Sequence, residues 1–131
     1  MVVPREDQIV QLVDAFYMKV RQDAVLGPVF ENAIAPDEWP AHLAKMYDFW
    51  SSVMLTTGRY KGNPMLAHLR LKTVTPAHFD RWLALFAETA AEIFPPDAAR
   101  EFIARAENIG RSLQLGMFYR KRSPSLSEPV D

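Results

Sequence analysis

EWPAHLAKMYDFWSSVM, residues 38–54, places Trp39, His42, Met46, Phe49, Trp50, Val53 and Met54 at steps of three, four and one. Residues three and four apart share one face of an α-helix, so these seven side chains form a single stripe. The stripe predicts a long helix that starts near Asp37 and stops before Gly58. One member is out of keeping with the rest. His42 carries ring nitrogens that need partners once they leave water.

The same period recurs on both sides. Upstream, Ile9, Leu12, Val13, Phe16, Tyr17 and Val20 predict a helix over Glu6–Arg21. After Asp23 comes AVLGPVF, a short piece expected to break at Gly27-Pro28, with Phe30 as its anchor. Downstream, GNPMLAHLRL, residues 62–71, reads as a turn and a short helix in which His68 stands among Met65, Leu66 and Leu69. Thr75 is a candidate N-cap followed by Pro76, opening a helix to Phe94 with Phe79, Trp82, Leu83, Phe86, Ala90 and Ile93 inward. Pro95-Pro96-Asp97 separates it from a last helix over Asp97–Arg120, buried through Phe102, Ala106, Ile109, Leu113 and Met117. No stretch alternates with period two. The fold class is all-α: one domain over residues 1–122, with SPSLSEPVD, residues 123–131, expected to be a disordered tail.

Composition narrows the function classes. A chain of 131 residues supports one sizeable core. Its formal net charge of −1 provides no bulk field to recruit nucleic acid or anionic lipid. No apolar run approaches the roughly 20 residues of a membrane span. The absence of cysteine removes disulfides, thiolate metal sites and cysteine nucleophiles. A cytoplasmic monomer is the expectation. The templates GxGxxG, GxxxxGK[ST], HExxH and GxSxG are all missing.

Four residues carry polar atoms on otherwise apolar stripes: Tyr17, His42, His68 and Trp82. Each has a plain reading. A core tyrosine or tryptophan supplies bulk with one local hydrogen bond, and a core histidine is commonly half-buried and satisfied. His68 has a second reading, as a metal ligand through one neutral ring nitrogen. His42 and His68 match no common zinc spacing, and the paired ExxH motifs of a di-iron bundle are absent. Iron held in a porphyrin needs a single protein ligand, which suits so sparse a donor set. The residues alone leave both readings of His68 open.

In family order, the segments FYMKVRQD, LGPVF and NAI, then EWPAHLAKMYDFW, YKGNPMLAHL and HFDRWLALF, resemble the truncated haemoglobins, specifically their group III branch. The likeness runs from about residue 9 to residue 120, and no Gly-Gly pair occurs, as is usual in that branch. It implies a shortened globin, two helices crossed over two around haem b (iron protoporphyrin IX). It implies His68 as the proximal iron ligand, with Tyr17, His42 and Trp82 on the distal side. Phe49 and Trp50 match the family's FW pair. The resemblance further points to Phe16, Phe30, Leu66, Phe79, Ile109 and Leu113 as apolar walls and to Arg59, Tyr60, Lys61 and Arg70 as candidates to meet the propionates. Met46 either packs as a soft apolar side chain or ligates ferric iron.

The implied function is binding of dioxygen, and of nitric oxide and carbon monoxide, at ferrous iron. Polar distal donors favour slow release, which fits ligand capture or redox work better than oxygen transport in bulk. Nitric oxide dioxygenation or peroxidase-like turnover would draw on an external electron donor. A cofactor-free helical interaction or sensor module explains the periodicity equally well, but not the coincidence of Tyr17, His42, His68 and Trp82.

Overall fold

The computed structural model describes residues 4–63 and 74–119. Within them the chain forms α1 (Glu6–Gln22), α2 (Leu26–Ala33), a 3-10 turn (Pro36–Glu38), α3 (Trp39–Leu55), α4 (Pro76–Ile93), α5 (Pro96–Gln114) and a π-helical turn (Leu115–Tyr119). No strand occurs among the described residues. The short helix expected around His68, with Leu66 and Arg70, lies outside them, as does the tail after Tyr119.

The stripe of α1 is buried as its period predicts. Ile9, Leu12, Val13, Phe16, Tyr17 and Val20 are all in the core. Each large side chain removed from water contributes about 1.5–3 kcal/mol. α1 and α3 form one pair, α4 and α5 the other, and α1 lies directly on α4. Phe86 and Phe102 are fully enclosed where the pairs meet. Trp50 reaches across from α3 to stack on Phe86 at 4.9 Å, with Phe102 at 5.9 Å. This is the all-α, two-over-two arrangement.

Three local expectations need correction. Gly27-Pro28 does not break the segment: both residues sit in the first turn of α2, where a proline's missing N–H costs nothing. Gly27 is buried, and a Cβ there would stand 2.9 Å from the Arg21 carbonyl oxygen, so the close approach of the two backbones requires glycine. Residues 36–38 form a 3-10 turn ahead of α3, and the last helix changes to π geometry after Gln114. His78 is half-buried at the start of α4, and its Nδ1 accepts the Thr75 N–H at 2.9 Å.

Polar side chains join the elements. Asp23 accepts the Val25 and Leu26 N–H groups through Oδ2, 3.0 Å each, and Arg81 Nε–H of α4 through Oδ1 at 2.8 Å. The guanidinium, followed by the two amides, holds its carboxyl below the usual range despite burial. A depressed carboxylate pKa stabilises the fold above the unfolded value of about 3.9 and loses that contribution as pH falls through the folded one. Asp23→Ala is therefore expected to cost about 1–2 kcal/mol near pH 7. It should also reduce the dependence of stability on pH below about 4, as chemical denaturation at stepped pH would read.

Candidate functional site

α1 delivers Phe16 and Tyr17 to the interior as neighbours, their rings 4.9 Å apart and edge to face. Tyr17 is the centre of an aromatic nest. Its ring meets Phe30 of α2 at 6.0 Å, Trp39 at 6.0 Å and His42 at 5.2 Å, the last almost perpendicular. Trp39 and His42, three residues apart on α3, share a face and stand edge to face at 5.3 Å. The π-faces are electron-rich and the ring edges electron-poor, so such T-shaped contacts are attractive.

Burial pushes the Tyr17 phenol well above its ordinary pKa. Its side chain makes no hydrogen bond to another described residue. A buried O–H in that condition remains a donor throughout the neutral range and has capacity for an acceptor brought in from outside.

α4 supplies Trp82, which lies edge-on to Phe16 at 5.6 Å and parallel to Phe86 at 5.7 Å. Phe16 thus stands between Tyr17 and Trp82. Tyr17, His42 and Trp82 are gathered by this contact chain into one region at the junction of α1, α3 and α4.

The stripe of α3 behaves unlike that of α1. Trp39, Trp50 and Ser51 are fully buried, whereas His42, Leu43, Met46, Phe49, Val53 and Met54 are only half-buried. Across from it, Trp82, Leu83 and Ile109 are half-buried as well. α3 packs along α1 and touches the α4/α5 pair chiefly through the long Trp50 ring. A helix with this much apolar surface left half-covered fits a flat apolar group seated against it, as burial of that surface is favourable.

The remaining candidates divide. Phe30 is half-buried against the core, and Phe79 is buried in a satellite cluster with Leu113 and Met117, facing Phe118 at 6.2 Å. Trp50 belongs to the main core, while Phe49 turns its edge to Tyr60 at 5.1 Å. Arg59 pairs with Glu6 and donates to the fully buried Ser51 hydroxyl, so its charge is already partnered. Tyr60 donates its backbone N–H to Ser52 Oγ at 2.9 Å, and burial raises its phenol pKa. Lys61 is exposed. His68, Leu66 and Arg70 lie outside the described residues. No cluster of three metal-binding side chains occurs among the described residues. A groove of about 350 Å³ lined by Leu83, Glu107, Arg111, Gln114 and Leu115 lies beside α5 and includes none of Tyr17, His42 or Trp82.

Trp39 received no role beyond its place in the stripe. It is 2 % exposed, touches both Tyr17 and His42, and carries the Arg21 guanidinium over its face at 4.4 Å. Its position three residues before His42 was the available signal; the Arg21 contact was not legible from any local pattern.

Comparison with known proteins agrees with this architecture. The family described as "Bacterial-like globin" matches residues 3–110. The group 3 truncated hemoglobin ctb of Campylobacter jejuni is 36 % identical over 117 residues, covering 88 % of this chain and 91 % of that protein. The crystal structure of the group III truncated hemoglobin from Campylobacter jejuni superposes with a TM-score of 0.84 at 33 % identity, over 90 % of this chain and 94 % of that one. With a two-over-two helical fold, an aromatic nest around Tyr17 and His42, and this coverage, the chain belongs to the bacterial-like globins, and among them to the group III truncated haemoglobins.

Proposed function

We propose that the protein binds haem b against the half-covered face of α3 and captures dioxygen, nitric oxide or carbon monoxide beside Tyr17, His42 and Trp82. The haem when bound supplies ferrous iron with an open coordination position for a diatomic gas. His68 is the residue that would hold the iron. The observation that carries the reading is Tyr17: a buried phenol next to His42, held protonated by its surroundings and carrying a donor that no described residue occupies.

The roles of the side chains follow from their chemistry. Tyr17 O–H and Trp82 Nε1–H are donors to a polar ligand bound beside them. Charge-assisted bonds of this kind contribute about 1.5–3 kcal/mol each. Each 1.4 kcal/mol is about tenfold in affinity, so the pocket is built for retention. His42, wedged between Tyr17 and Trp39, bounds the pocket and is placed to hold or pass a proton. Met46, half-buried one turn further along α3, serves as soft apolar wall. Phe16, Phe30, Phe49 and Ile109 keep water from the donors. Redox turnover on nitric oxide or peroxide uses the same donors and takes its electrons from an external partner.

Titration of the purified protein with haemin, followed by absorption spectroscopy, tests the reading. A saturable, sharp porphyrin band at one haemin per chain is expected, and after reduction it should shift on addition of carbon monoxide. A folded protein that leaves haemin unbound would overturn it.

A further inference from the structure

Trp39 is an unusual buried tryptophan. It is 2 % exposed, yet its Nε1–H has no hydrogen-bond partner among the described residues. Buried indoles ordinarily satisfy that donor, because leaving it dry is unfavourable. Trp39 is held in the apolar core and by ring contacts: Tyr17 at 6.0 Å, Phe30 at 6.4 Å, His42 at 5.3 Å, and from outside the Arg21 guanidinium at 4.4 Å. Arg21 itself is exposed, in the last turn of α1.

Opposing contributions meet at this side chain, beside the apolar burial that favours the inward position. The cation over the ring favours the buried position. The dry N–H disfavours it and would be relieved by water if the indole swung outward. The half-buried His42 lies beside it, its ring perpendicular to both Trp39 and Tyr17. Whatever moves Trp39 removes one of the ring contacts that fix the imidazole.

We propose that Arg21 and Trp39 form a latch over the His42 side of the pocket: Arg21 holds Trp39, Trp39 positions His42, and release of the latch opens a path for small diatomic ligands. Neither residue touches the ligand; both are positioning residues. The inference rests on the proposed gas-binding role, but the placement of His42 does not.

That distinction shapes the experiment. A latch changes the barrier on one path, so it scales ligand association and dissociation by the same factor and leaves affinity unchanged. Loss of a donor such as Tyr17 changes dissociation alone. In the haemin-loaded protein, Arg21→Met is expected to raise both carbon monoxide rates about two- to fivefold. The fraction of ligand that rebinds before escaping after photolysis should fall. Arg21→Lys, which keeps a cation on a flexible stem, is expected to restore most of the parent behaviour. In haem-free protein, the NMR resonances of the His42 ring, displaced by the ring currents of Tyr17 and Trp39, should move toward ordinary values in Arg21→Met. Unchanged His42 resonances, or a change in dissociation rate without an equal change in association, would overturn the latch. If haemin fails to bind the parent protein, the gas-binding reading falls, and the His42 resonances still decide whether Arg21 positions that ring. Arg21 is exposed, so its substitutions leave the chain folded.

Discussion

Haemin added to the His68→Ala protein is expected to give a broad, weak porphyrin band where the parent protein gives a sharp one, with affinity reduced by more than the roughly 10- to 100-fold that follows loss of an outer hydrogen-bonding partner of a metal ligand. Some binding should persist, because the apolar faces of a porphyrin still gain from burial against Met46, Phe49 and their neighbours. Millimolar imidazole should restore the sharp band by entering the space the side chain vacates. The sequence has three histidines, which makes the control complete. His78 is engaged at the start of α4, accepting the Thr75 N–H, so His78→Ala should weaken that cap and leave the spectrum alone. His42 belongs to the Tyr17 nest, and His42→Ala should alter ligand kinetics while the iron stays ligated. An unchanged spectrum in His68→Ala would refute the assignment of the ligand, and transfer of the loss to His42→Ala would reverse the two sides of the pocket.

The residues that sequence reading handled well are those whose neighbours are local. Ile9, Leu12, Val13, Phe16, Tyr17 and Val20 obey one period on one helix, and all six are buried. α3 shows where such reading stops. Its period marks an apolar stripe from Trp39 to Met54, but periodicity cannot say whether protein covers the stripe; most of it is half-covered. Ser51 lies beside that stripe and is fully buried, its hydroxyl met by Glu6 of α1 and by Thr57 and Arg59 of the loop that follows α3. Gly27-Pro28 looked like a break because both residues interrupt helices in mid-course, whereas in a first turn neither does. Asp23 with Arg81, and Arg21 with Trp39, are pairs between elements. No spacing rule finds such pairs, since each side chain looks like an ordinary surface charge until the helices are packed.

Tyr17→Phe is the substitution with the sharpest kinetic signature. It keeps the ring that packs on Phe16, Phe30, Trp39 and His42 and deletes one hydroxyl. Tyr17 is a buried residue whose hydroxyl bonds to no other described residue, so its loss is expected to be close to neutral for the stability of the haem-free protein. If it donates to captured dioxygen, its removal should raise the dioxygen dissociation rate roughly 10- to 100-fold. The less polar carbon monoxide should respond far less, and association rates should hold, because the path into the pocket is untouched. Burial pushes the phenol well above its ordinary pKa of about 10. The parent's dioxygen dissociation rate should therefore stay flat through the pH range in which an exposed tyrosine ionises. The linked stability effect has a definite sign. A raised folded-state pKa means that the unfolded chain ionises first, so the contribution of Tyr17 is intact below about pH 10 and declines above it. Tyr47 and Tyr60 are raised too, the former to about 12 through its bond to the Asp14 carboxylate, so the parent's alkaline loss has several contributors. Tyr17→Phe should lessen that slope by at most one proton. Equal dioxygen dissociation rates in parent and variant would remove Tyr17 from the pocket, and a break near pH 10 in the parent's rate would show that its phenol is not held protonated.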